Sequence, residues 1–216
     1  MSTSFRSALK KRVRRIRRRA AALSRVCRQE EMHRLRVDLK QLRAQLRLLR
    51  SVDPGFPYRV VYAPYKALFA AAGAVRFWQL QAGILADTPQ LPVGFARVYR
   101  RYVNRRLRAA MKAFRQTAAH PQLPPWRVVR QEIRTSAKQC TPARLEVYFE
   151  ALREAALDIV QRLERRRKAG LHELRKQLKE YANNRRLAVR YLDYDPGASP
   201  GFPPGAADFD ELLGQW

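Results

Sequence analysis

A chain of 216 residues with 46% hydrophobic content can bury a sizeable core, which excludes wholesale disorder. Its 45 Lys+Arg against 18 Asp+Glu leave a net charge of +27, so a polyanion partner is expected: DNA, RNA, inorganic polyphosphate or an anionic membrane surface. Two cysteines without C-x-x-C spacing exclude a disulfide framework, and no apolar run is long enough for membrane insertion.

Helical periodicity runs along the whole chain and period-2 alternation is absent, so the fold class expected is all-α. A first helix, about 4–24, reads as basic on nearly every side, from Lys10 to Arg19. It has no apolar core of a secretory signal, and the cytoplasm is the compartment expected. A second helix, about 29–50, sets an apolar seam (Leu35, Leu39, Leu42, Leu46, Leu49) opposite a stripe of His33, Arg36, Lys40, Arg43 and Arg47. Asp53-Pro54-Gly55 then breaks the chain. A third helix, about 60–86, is rich in small and apolar residues and carries chiefly Lys66 and Arg76. It is expected to be central and packed on several sides.

A fourth helix, about 91–119, has the longest basic stripe: Arg97, Arg101, Arg105, Arg108, Lys112 and Arg115. Phe95, Tyr99, Tyr102, Val103 and Phe114 lie off that stripe and read as core, and Arg106 fits neither face. A break around His120-Pro121 divides one expected domain, 1–216, into halves of about 1–120 and 125–216. In the second half, a helix at about 125–139 carries Arg127, Arg130, Arg134 and Lys138. Thr141-Pro142 gives an N-cap and a first-turn proline to the next, about 142–166. That helix has an apolar seam from Leu145 to Leu163 and an acidic row of Glu146, Glu150, Glu154 and Asp158, expected to face solvent. A seventh helix, about 168–192, holds His172, Arg175, Lys179 and Arg186. A Pro/Gly-rich stretch leads to the beginning of an eighth at 206–216.

One pattern occurs twice. Met32-His33-Arg34-Leu35-Arg36-Val37-Asp38-Leu39-Lys40 and Leu171-His172-Glu173-Leu174-Arg175-Lys176-Gln177-Leu178-Lys179 both read H-x-L-R-x-x-L-K. At 100° per residue the His, the Arg at +3 and the Lys at +7 fall within roughly 60° of one helix face, with the leucines on the opposite side. A solvated face that served solubility alone would mix signs, because like charges at i,i+4 repel by a few tenths of a kcal/mol. Here the stripes are nearly of one sign while the carboxylates gather on another helix, which points to a polyanion surface. Arg outnumbers Lys, and its planar fork suits phosphate oxygens. The two histidines suit phosphate contact better than metal ligation, because no carboxylate or thiolate stands at ligand spacing.

Catalysis finds no support. The sequence has no Ser/Cys–His constellation, no glycine-rich phosphate loop and no H-E-x-x-H. Polyphosphate hydrolysis normally needs carboxylates to hold metal ions, and the basic stripes have almost none. No enzyme activity, cofactor or metal is therefore expected. RNA or DNA binding is the alternative, since this charge secures affinity for nucleic acid at low salt.

The doubled motif resembles that of the CHAD family, the conserved histidine α-helical domain. His33/Arg36/Lys40 and His172/Arg175/Lys179 match the family's H-x-x-R-x-x-x-[KR] residue by residue, and Gly73-Ala74-Val75-Arg76 is similar to its G-x-x-R segment. The resemblance implies two pseudo-symmetric helical bundles, of four-helix type, around a basic central cavity that binds inorganic polyphosphate, with targeting to polyphosphate granules. Two departures stand out: Phe77-Trp78 follow Arg76 where the family has an acidic residue, and Leu212 to Trp216, similar to the Gly73 segment, ends the chain. The second half is thus expected to be truncated at its C-terminus.

Overall fold

The computed structural model describes residues 3–88, 90–119, 126–163, 167–192 and 194–195. Seven α-helices and no strands occur among them: α1 (Thr3–Arg25), α2 (Gln29–Val52), α3 (Tyr58–Ala86), α4 (Val93–Ala119), α5 (Trp126–Ala137), α6 (Pro142–Leu163) and α7 (Arg167–Tyr191). The expected eighth helix, the His120-Pro121 break and the Arg127 side chain lie outside the described residues.

Two compact units are formed, one from residues 10–43 and 58–130, the other from residues 1–9, 44–57 and 131–216 as far as they are described. In the 10–43/58–130 unit the leucine seam of α2 is buried as its spacing requires, with Met32, Leu35, Leu39 and Leu42 at most 1% exposed. On α1 the arginine count conceals a regular seam: Val13, Ile16, Ala20 and Leu23 are all buried. Three half-buried α1 arginines reach across to α2. Arg15 chelates the Asp38 carboxylate (Nε to both oxygens at 3.0 Å, Nη2 at 2.7 Å), Arg19 pairs with the same carboxylate, and Arg12 donates to Gln41. Asp38, 4% exposed, therefore ties α1 to α2.

α3 packs against α4, and an aromatic chain marks the seam. Trp78 meets Tyr102 edge-on at 5.6 Å, Tyr99 stacks with Phe95 at 5.8 Å, and the Tyr99 hydroxyl donates to Gln81 at 2.9 Å. The expectation that α3 is packed on several sides is corrected. Val61, Tyr65, Leu68, Ala72 and Val75 form one buried stripe, while Val60, Phe77, Leu80 and Ile84 are exposed. Being apolar did not suffice for burial, because nothing described covers that flank. The same holds on α4: Val103 and Phe114 are buried, but Phe95 is 56% exposed and Tyr102 36%.

In the other unit α6 packs on α7, where Ala156, Ile159 and Leu174 cluster with Leu178 beside them. Phe149 meets Tyr181 and Tyr194 at 5.5 and 5.0 Å. The break at Asp53 is an Asx turn, with Gly55 N donating to Oδ1 at 3.0 Å, while Oδ2 accepts from the Ser136 hydroxyl of α5 at 2.6 Å. Arg144 on α6 donates to the Val52 carbonyl at 3.0 Å, so the end of α2 is held by both neighbours. Thr141 caps α6, its Oγ1 accepting from Arg144 N at 3.4 Å.

Candidate functional site

Stripe positions on α2 emerge where the seam leaves room. His33, Lys40, Arg43 and Arg47 are exposed and Arg36 is half-buried. Arg36 lies across α3: its Nη1 donates to the Phe69 carbonyl at 3.3 Å, and its guanidinium sits 4.5 Å over the Phe69 ring. A Cβ at position 73 would stand 2.5 Å from Arg36 Nη1, so Gly73 makes the space in which that guanidinium rests. Arg76, one turn further along α3, is close enough to act on it. The pKa of Arg36 is pulled below its ordinary value by burial first and by the like charge of Arg76 second. An arginine stays protonated regardless, so two cations share a half-dry recess. Arg76 Nη1 is buried and has no hydrogen-bond partner. Neither residue has a carboxylate partner among the described residues, in contrast to Arg15 and Arg19 on their shared Asp38.

The α4 stripe runs along the helix face opposite Val103 and Phe114, with Arg97, Arg101, Arg105, Arg108 and Lys112 all exposed. Arg106, unplaced by periodicity, lies 5.2 Å over the Tyr102 ring, and Arg105 lies 6.0 Å over it. Lys66 on α3 is exposed, as is Arg130 at the start of α5.

Residues 131–195 carry the second motif copy. His172 is exposed, while Arg175 and Lys179 are half-buried. Arg175 Nε is buried without a hydrogen-bond partner, which parallels Arg76 Nη1. Arg134 and Lys138 are exposed, and Arg186 is exposed with Nε donating to the Ala182 carbonyl at 3.3 Å. The reading of the stripes as nearly free of carboxylates needs one correction. Arg47 pairs with Glu180 of α7 at 2.6 Å, a contact between residues far apart in sequence that single-helix geometry does not foresee. The acidic row of α6 faces solvent at Glu154 and Asp158, but Glu146 is half-buried and accepts from the Tyr194 hydroxyl at 2.8 Å. Glu150 and Asp158 are held by Arg153 and Arg162 of their own helix.

Among the described residues no group of three or more His, Cys, Asp or Glu could hold a metal ion. No described helix is long and apolar enough to cross a membrane.

An all-helical domain with one-signed basic faces is the class that these features define. The fold is that of a CHAD domain: the chain is similar to the crystal structure of the CHAD domain from the plant Ricinus communis, with a TM-score of 0.66 and 21% sequence identity. The likeness covers 98% of this chain and 72% of that one. No protein-family model matches the sequence, and no curated protein does.

Proposed function

We propose that this chain binds inorganic polyphosphate without transforming it, through the basic faces of α2, α3, α4, α5 and α7. The observation that carries the reading is the Arg36–Arg76 pair, two guanidiniums in a half-buried recess with no carboxylate and with one buried donor unsatisfied. A buried donor without a partner costs about 1–3 kcal/mol, and a phosphate oxygen would satisfy it while relieving the repulsion. Arg175, with its own unsatisfied buried Nε, is the matching element of the second motif copy. Further cations come from His33, Lys40, Arg43, Lys66, Arg97, Arg101, Arg105, Arg108, Lys112 and Arg130 in the 10–43/58–130 unit, and from Arg134, Lys138, His172, Lys179 and Arg186 in the other. Arg47 joins them only if the ligand displaces Glu180. Cytoplasmic residence at polyphosphate granules follows from the same reading, and each sequence half would contribute one motif copy to it.

A second reading, single-stranded nucleic acid, is favoured by one observation: Phe95 and Tyr102 are exposed beside the α4 arginines. Against it, Tyr102 is already covered by Arg105 and Arg106, and Phe95 stacks on Tyr99. Competition at about 0.15 M salt separates the two readings. Long-chain polyphosphate should displace single-stranded RNA, tRNA and duplex DNA and bind at least tenfold more tightly than any of them. Equal or tighter binding of nucleic acid would sink the lead reading.

A further inference from the structure

A cleft of about 620 Å³ opens at the corner where α3 passes into α4. That volume lies within the ~300–1,000 Å³ typical of small-molecule sites. Its lining is mixed in chemistry: Leu85, Ala86, Leu91, Val93 and Ala96 are apolar, while Arg97, Arg100, Arg101 and Asn104, on the same face of α4 as Val93 and Ala96, are polar. The three arginines have no hydrogen bond or ion pair with any described residue. Held within five residues of one helix, they repel one another, and an anion would relieve that repulsion. Val93, one turn before Arg97 on α4, is 75% exposed, an apolar surface left in water unless something covers it.

We propose that this cleft binds an amphiphilic anion, a molecule with a phosphate or carboxylate head and an apolar body. The guanidiniums take the head by forked hydrogen bonds, and the side chains of Leu85, Leu91, Val93 and Ala96 take the body. A phosphate chain has no use for the apolar lining, so this site differs in ligand class from the recess at Arg36 and Arg76. Arg97 and Arg101 also belong to the α4 stripe, whereas Arg100 and Ala96 do not, which lets the two sites be separated.

The test is calorimetric titration of the full chain with decyl phosphate below its micellar concentration, with inorganic phosphate and with decanol. Decyl phosphate should bind at least tenfold more tightly than either. Ala96→Trp, which crowds the apolar lining, should weaken it at least tenfold. Arg100→Gln should weaken it several-fold, and both variants should keep their helicity and bind long-chain polyphosphate within twofold of the native chain. Equal affinity for phosphate and decyl phosphate, or undiminished decyl phosphate binding by Ala96→Trp, would overturn the proposal. Vesicles containing phosphatidic acid distinguish the source. Sedimentation that Ala96→Trp abolishes assigns a lipid headgroup, and decyl phosphate binding without sedimentation assigns a free amphiphile. Arg36→Ala/Arg76→Ala should weaken polyphosphate binding steeply and leave decyl phosphate binding unchanged, so the two readings fail separately.

Discussion

Gly73 decides where Arg36 can rest. A methyl group there meets only the tip of a flexible side chain, so Gly73→Ala should swing the guanidinium away without disturbing the helix. Alanine is the better helix former by about 0.5–1 kcal/mol, and one displaced charged hydrogen bond is worth roughly 1.5 kcal/mol, about tenfold in affinity. Stability and binding should therefore move in opposite directions, which melting curves and polyphosphate titration of the variant would reveal. Unchanged affinity would mean that Arg36 does not touch the ligand. Cys140 makes a different prediction. Burial, chiefly, with help from the Asp53 carboxylate, pushes its thiol up to about 12, and burial likewise raises Tyr65 to about 12. Both groups keep their proton in the folded chain above the pH at which the unfolded chain releases it. Their contribution to stability is thus complete below about pH 9 and is lost as pH rises towards 12. Denaturation midpoints should fall across that window, and thiol labelling of native protein at pH 8 should spare Cys140.

At the scale of the helices, the basic side chains divide into those paired with a carboxylate and those without one. Arg15 and Arg19 belong to the first kind through Asp38, and Arg36 and Arg76 have no carboxylate partner among the described residues. Asp38→Ala would strand two arginines that are 38% and 22% exposed, so the cost is about 1–3 kcal/mol, not the larger figure of a fully buried pair. Its melting temperature should drop by several degrees. A variant as stable as the native chain would show that the carboxylate only decorates the α1–α2 seam. This division also marks what the sequence made legible. The α2 seam, the opposite stripe and the doubled motif follow from a 3.6-residue period; the seam is buried as that period requires and His33, Lys40, Arg43, Arg47 and His172 are exposed, whereas Arg36, Arg175 and Lys179 are half-buried. The α1 seam was hidden because nearly every residue between its apolar positions is cationic, which swamps the pattern. The exposed flank of Phe77, Leu80, Phe95 and Tyr102 was misread for the opposite reason: period marks an apolar side chain but not whether a neighbour covers it. The roles of Asp38 and Glu180 depend on pairings between helices, and the cleft beside Arg100 on how α3 passes into α4, none of which a single-helix wheel contains.

For the whole molecule, a net charge of +27 means that any polyanion will bind to some degree at low salt, so affinity alone identifies nothing. What distinguishes a built site is the requirement for particular residues together with stabilisation by long chains. Ligand at a hundredfold excess over its Kd adds about 2.7 kcal/mol to the native state, which raises the melting temperature of a chain this size by roughly 5–10 °C. The most direct measurement is the melting curve of native protein and of Arg36→Ala/Arg76→Ala, each free, with long-chain polyphosphate, and with pyrophosphate at equal phosphate concentration. The native chain should gain roughly that increment with long chains and much less with pyrophosphate. The variant should melt unliganded within about 3 °C of native, because each lost contact is offset by relief of like charge, and should lose most of the polyphosphate increment. An increment undiminished in the variant, or equal for pyrophosphate and long chains, would contradict a polyphosphate site centred on this arginine pair.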